Sequence, residues 1–232
     1  MKLEKLTGTQ ERRRRQYEDA CATAHALDLV GERWALPVMR ELMLGPRRFS
    51  DLRGSLPGIS ANVLTQRLEG LEAAGVLMRH KLPPPAATQV YELTEWGHES
   101  EPIFQALGRW AARSPAHDPS LPFSAVSLML SLRTMFDARR AQGIEARIGF
   151  RLGDETFLGH VTPKSIGIIR GPLEGADVVF TGSAANIARA IYAGQPIDAL
   201  ETDGVLQIEG NRAVAEQFVS LFPLPPKVQR QP

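Results

Sequence analysis

Asn62 and Gln66 stand four residues apart in SANVLTQRLEGLEAAG, so a helix places one above the other on a single face. A carboxamide near the start of a helix lying in a DNA major groove can bond the N6 and N7 of an adenine together. Thr65 shares the outward side, and the hydroxyl of Ser60 stands just ahead of it. Arg67 lies at the edge of the apolar stripe made by Leu64, Leu68 and Leu71. From there a guanidinium reaches a phosphate, a contact that fixes register without reading sequence. The competing reading is a solvated helix face, because outward helix positions are polar as a rule.

Positioning these groups takes a short, recognisable set of elements. Phe49, Leu52 and Leu56 share one face of a first helix, which Pro57 and Gly58 stop: proline removes a backbone donor and glycine accepts turn dihedrals. Ser60 caps the next helix, expected over Ala61 to Ala74, although Val63 rules out a full capping box. Gly75 ends that helix, and Val76 to Leu82 and Gln89 to Leu93 read as two strands around PPPAAT. Arg79, His80 and Lys81 lie near the tip of this ribbon, a wing for the adjacent DNA backbone or minor groove. Arg47 and Arg48, ahead of the first helix, complete the expected DNA contacts. Between Arg47 and Lys81 six basic residues face three acidic ones, so the positive field is local, the whole chain carrying only +1. Glu92, Glu95, Glu99 and Glu101 bring the opposite sign and are expected to face away from phosphates.

Four stretches in order, CATAHALDLVGERWALPVMRELMLG, GPRRFSDLRGSLPGIS, LTQRLEGLEAAGVL and YELTEWG, resemble the HxlR-type regulators of the winged-helix superfamily. The resemblance covers nearly half the chain. It implies a homodimeric transcription factor on double-stranded DNA, with the helix near Cys21 and the helix after Thr94 forming the dimer. Two positions depart from the family pattern: Ala22 stands where proline is usual, and Pro37 lies inside the helix beginning near Trp34. Pro37 is tolerable, since first-turn amides have no intrahelical acceptor. A two-fold dimer presents its reading helices about 34 Å apart and so prefers an inverted repeat.

Cys21 and His25 are four residues apart on a short helix from Cys21 to Gly31 and can touch, which would polarise the thiol. The resemblance makes Cys21 a candidate sensor of oxidants or electrophiles. Burial habits favour a small buried cysteine at a dimer helix. Trp34, Val38, Met39 and Leu42 are expected in the core beneath the reading helices. Thr94 is expected to cap one long helix to Arg113, with Ile103, Leu107 and Trp110 at the interface or in the core below it.

The 232 residues, 43% of them hydrophobic, suit one large or two modest domains. We expect a basic arm over 1–17, carrying Arg12 to Arg15; a DNA-binding and dimerisation domain over 18–114; a linker over 115–122; a second domain over 123–226; and a tail over 227–232. The linker, within SPAHDPSLP, has three prolines and no apolar period. No apolar run approaches the roughly 20 residues that span a bilayer. The polar start has no signal-peptide core, and one cysteine forbids an internal disulfide, all of which points to the cytoplasm. The histidines lack metal-ligand spacing, no nucleophile has a base partner and no glycine loop cradles phosphate, so neither a metal, a cofactor nor an enzyme is expected.

Beyond the linker, an apolar helix over Phe123 to Arg140 precedes a clean alternation from Ile144 to Leu152, the mark of a half-buried strand. Strands are expected at 155–161, 164–170, 177–181 and 205–208, and helices after Ser183, after Pro196 and over 211–222. ADVVFTGSAANIARAIYAGQPIDALETDGVLQIEGNRAVAEQFVSLF, Ala176 to Phe222, resembles the sterol-carrier-protein-like lipid-binding fold. That resemblance implies an apolar cavity between a five-stranded sheet and helices, holding a hydrophobic small molecule or lipid. Phe150, Phe157, Phe180, Ile187, Ile191 and Phe218 are the side chains to line it; the same stripes fit an ordinary filled core equally well.

The chain is thus read as α+β, a winged helix-turn-helix joined to a sterol-carrier-like domain with a mixed or antiparallel sheet. The function that follows is sequence-specific DNA binding by a homodimer under control of an apolar ligand. The alternatives are a constitutive or Cys21-responsive regulator whose second domain is structural, and a lipid carrier, which has no use for a groove-reading helix.

Overall fold

The computed structural model describes residues 17–119, 121 and 123–229. The basic run Arg12 to Arg15 and the last three residues of the tail lie outside them. Contacts divide the chain into two units that meet between His98 and Glu99.

The first unit contains α1 (Ala22–Val30), α2 (Ala35–Leu42), α3 (Phe49–Ser55), α4 (Ala61–Ala73), β1 (Leu77–Lys81), β2 (Gln89–Leu93) and the single turn α5 (Glu95–His98). Val38, Met39, Leu42, Leu52, Leu56, Leu64, Leu68 and Leu71 meet as its buried core, the apolar stripes of α2, α3 and α4 facing one another. Pro37 sits in the first turn of α2, where its missing donor has no acceptor to lose. Trp34 is half-buried instead of a core residue; it precedes α2 with φ 79°, and the Arg33 guanidinium lies 5.5 Å from its ring centre. β1 and β2 pair antiparallel from Leu77 opposite Leu93 to Lys81 opposite Gln89. Arg47 adds a bridge to Tyr91 on the free side of β2, through N–H···O bonds of 2.9 and 2.8 Å.

The helix expected from Thr94 to Arg113 is two helices. Thr94 Oγ1 does accept from Gly97 N at 3.1 Å, but α5 ends at His98 and α6 starts at Glu101. Pro102 explains the break: it has no N–H for the His98 carbonyl, and its ring would collide with that carbonyl in a continuous helix. It sits instead in the first turn of α6, where proline is welcome.

The second unit comprises α6 (Glu101–Ala112), α7 (Ala125–Met135), β3 (Ala146–Leu152), β4 (Glu155–Val161), β5 (Ile166–Arg170), β6 (Val178–Gly182), α8 (Ala184–Tyr192), α9 (Ile197–Thr202), β7 (Leu206–Gly210) and α10 (Arg212–Val219). Its sheet runs β5-β4-β3-β6-β7, antiparallel except for the β3–β6 pair. Period-2 alternation sends Ile148, Phe150, Phe157, Ile168 and Phe180 into the core, while Arg147, Arg151, His160 and Ile169 stay exposed. Both edges are occupied by side chains: Arg133 donates to the Ile168 carbonyl of β5, and Glu201 accepts from Ile208 N of β7 at 3.1 Å. Filling edge groups in this way leaves another chain less to pair with.

The boundary falls ahead of the proline-rich 115–122 segment because α6 packs on α7. Glu101 pairs with Arg133, and Arg109 donates to the Thr134 carbonyl. The helix expected within 18–114 therefore belongs by contact to the second unit.

Candidate nucleic-acid interface

α4 is built to show its polar side. Ser60 Oγ accepts from Val63 N at 3.3 Å, satisfying one of the orphan amides of the first turn, so that hydroxyl is engaged as a cap. Leu64, Leu68 and Leu71 are buried, which rotates Asn62, Thr65 and Gln66 outward. Those three side chains are exposed and have no hydrogen-bond partner among the described residues. Their donors and acceptors are available to a ligand without breaking any bond within the protein.

The arginines divide into two kinds. Arg47, expected at DNA, is only 7% exposed and donates to Ser55 Oγ at 2.9 Å. Ser55 Oγ in turn donates to the Asp51 carbonyl at 3.0 Å, so Arg47 ties the end of α3 to the wing and is withdrawn from any phosphate. Arg67 also turns inward: its guanidinium pairs with Glu32 at 3.3 Å, bracing α4 against the segment before α2. Arg48 is exposed at the start of α3, where its amide donates to Asp51 Oδ2 at 3.4 Å. Arg53 is exposed on the same helix and is absent from the contacts expected above. The signal available for it was its place among polar neighbours opposite Leu52 and Leu56.

On the wing, Lys81 is exposed, Arg79 lies 3.7 Å from Glu72 and His80 lies 3.6 Å from Glu92. Exposed pairs of this length contribute on the order of 0–1 kcal/mol, so exchanging Glu72 for a phosphate costs Arg79 little. The tip is closed by Leu82 N donating to the Thr88 carbonyl at 2.9 Å.

Two apolar surfaces are open. α1 buries none of its residues, and Leu27 is exposed on it. On α6, Ile103 and Leu107 are exposed and Trp110 is 73% exposed, so these residues do not form a core beneath the helix. Cys21 is exposed as well, against the expectation of a buried thiol. The amides of Thr23 and Ala24, with the Thr23 hydroxyl, hold its pKa below the ordinary thiol value; His25 is not among the causes.

In the second unit Phe150, Phe157, Phe180, Ile187 and Phe218 are fully buried and Ile191 is nearly so. Phe218 lies 5.8 Å from Phe150, 5.6 Å from Phe180 and 4.9 Å from Phe222, centre to centre. The rings fill the space between sheet and helices themselves, at distances typical of packed aromatic pairs. A groove of about 460 Å³ lies elsewhere, between α8, α9 and α10; Ile191 is the one candidate pocket residue that lines it. Its arginines are engaged internally, Arg212 by Asp198, Glu201 and Glu216, and Arg140 by the Ser220 carbonyl. Among the described residues no group of three or more His, Cys, Asp or Glu could hold a metal, and no helix is long and apolar enough to cross a membrane.

A family model described as HxlR-like helix-turn-helix matches residues 29–118. YvaP of Bacillus subtilis (strain 168), described as an uncharacterized HTH-type transcriptional regulator, is 35% identical over 86 residues, 37% of this chain and 80% of the relative. The HTH-type transcriptional regulator YodB of the same organism is 36% identical over 86 residues, 37% of this chain and 77% of its own. The solved reduced form of YodB, at 32% identity, covers 43% of this chain and 100% of that one with a TM-score of 0.39, too low for an argument from shape.

Proposed function

The chain belongs to the HxlR-like helix-turn-helix family, and on that premise we propose that it is a homodimeric regulator of transcription whose α4 reads base edges in the major groove. The observation that carries the reading is the outer face of α4: Asn62, Thr65 and Gln66 exposed together beyond a capped helix start, with no internal partner. Arg48, Arg53, Arg79 and Lys81 supply phosphate contacts, and His80 stands beside them on the wing. Arg47 and Arg67 serve to hold the reading helices in place. The open faces of α6 and α1 support dimerisation, as the family resemblance implies, and the dimer sets up an inverted repeat as its DNA partner.

Selection of bound fragments from a random duplex pool tests this. Enrichment of an inverted repeat is expected; recovery of the input composition would reject sequence-specific binding.

The second unit supports a sterol-carrier-like fold, having a five-stranded mixed sheet with helices packed on it. Control by an apolar guest finds less support, since the rings expected to line a cavity pack on one another. A Cys21 response is favoured by a specific observation, an exposed thiol with a lowered pKa. Cys21→Ser should then abolish any change in DNA affinity on oxidation; a variant that keeps the response would place the switch elsewhere.

A further inference from the structure

We infer that Glu32 and Trp34, in the joint between α1 and α2, are positioning residues for base readout: they fix the roll of α4 and so set how sharply the regulator tells its operator from other duplexes. The inference rests on the regulator reading above and deepens it at the same site. Both residues and all the partners named below lie within the first unit.

The joint is short and its backbone is strained. α1 packs on α4 and ends at Val30, and α2 begins at Ala35. A Cβ on Gly31 would collide with the Leu27 carbonyl, so the chain leaves α1 through a position that only glycine fits. Trp34 then holds φ 79° and ψ −12°, a conformation that a bulky side chain rarely adopts. Such backbone persists only where its surroundings over-determine it, and it gathers at functional places. Here Ala35 N donates to the Glu32 carbonyl at 3.0 Å, Val38 N donates to the Trp34 carbonyl at 2.9 Å, and the Arg33 guanidinium stands 5.5 Å from the indole centre.

From this fixed backbone two side chains reach the helix-turn-helix. The Glu32 carboxylate takes the Arg67 guanidinium of α4 at 3.3 Å, with 48% and 20% of the two side chains exposed. The outer edge of the Trp34 indole comes within 4.0 Å of where a Cβ would stand on Gly58, which turns the chain between α3 and α4 with φ 88°. One grip is on the helix, the other on the turn that feeds it.

Arg67 sits on the flank of α4, between the buried stripe of Leu64, Leu68 and Leu71 and the open face of Asn62, Thr65 and Gln66. Apolar contact is not directional, so the leucines hold α4 down more firmly than they hold its rotation. A lateral ion pair opposes roll. Rolling carries Asn62 and Gln66 together across the base edges, where a donor and an acceptor must both align. Arg48, Arg53, Arg79 and Lys81 do not ride on α4, and phosphate contacts carry no sequence information. A looser α4 therefore loses discrimination while general affinity stays.

The experiment measures, for the full-length protein at one fixed salt concentration, the ratio of its affinities for the operator it selects and for a scrambled duplex. Glu32→Gln should lower that ratio about threefold, near the middle of what a half-exposed pair carries, with the scrambled duplex bound as before. The reversal Glu32→Arg with Arg67→Glu should restore the ratio. Trp34→Asn keeps a residue that tolerates positive φ but removes the indole, and should lower the ratio further. Glu32→Gln, at an exposed position, carries the test if Trp34→Asn does not fold. Tighter binding of Glu32→Gln to both duplexes would show Arg67 released onto phosphate, and equal weakening on both would show a role in the fold alone; either result overturns the inference. So would a Glu32→Gln variant that keeps the ratio while Gln66→Ala loses it. A wild-type protein that binds both duplexes equally would overturn the regulator reading and this inference with it.

Discussion

The two units spend their polar groups differently. In the second, arginines are consumed internally: Arg133 on Glu101, Arg170 on Glu155, and Arg212 on three carboxylates. In the first, the outer face of α4 keeps three polar side chains unpaired while the buried or braced arginines, Arg47 and Arg67, sit just behind. A surface that leaves donors and acceptors open is ready for a polar polymer; one that closes its charges on itself is built to hold shape. The contrast favours the first unit as the proposed recognition surface.

The largest effect expected from breaking this contrast is in the second unit. Phe218→Ala removes a fully buried ring that touches three others, and should destabilise by about 3–5 kcal/mol in chemical denaturation. A loss below about 1 kcal/mol would mean that the rings surround free volume after all. Next comes the pair of adjacent arginines. Arg47→Ala should cost stability by about 1–3 kcal/mol through the lost Ser55 bond, whereas Arg48→Ala should leave the denaturation midpoint unchanged. Arg48→Ala and Arg53→Ala should each weaken all duplexes alike and lower the salt slope by about 1, measured by titration at several ionic strengths. A preserved slope would remove that arginine from the phosphate contacts.

The smallest effect concerns Cys21. Hydrogen bonds from the Thr23 and Ala24 amides stabilise the thiolate, so the pKa falls and more thiolate is present at neutral pH than in a free cysteine. The pH midpoint of alkylation should lie below that of a small-molecule thiol, and Thr23→Ala should move it partway back. A midpoint at or above the free-thiol value would contradict this cause.

Legibility in the sequence followed the range of the interactions. α4 was readable because its cap, its apolar stripe and its closing glycine are all local, and the observed Ala61–Ala73 lies within a residue of the expectation. The strand at Ala146–Leu152 was legible for the same reason, as period-2 alternation within the expected Ile144 to Leu152. What failed was tertiary. Nothing near Arg47 announces that Ser55 and Tyr91 will enclose it, and nothing near Arg67 announces Glu32. Glu41, fully buried on α2 beside Arg40, likewise gave no sign of its burial in the sequence. The break at Pro102 was the exception, local and overlooked. The partners of α6 were out of reach, since Lys227 and Ser114 are brought together only by the completed second unit.

The most direct test of a base-reading face on α4 is the affinity of Gln66→Ala for the selected operator and for a scrambled duplex at one fixed salt concentration. The account predicts a loss of about 1–3 kcal/mol on the operator and none on the scrambled duplex. Equal loss on both would show that Gln66 does not read bases.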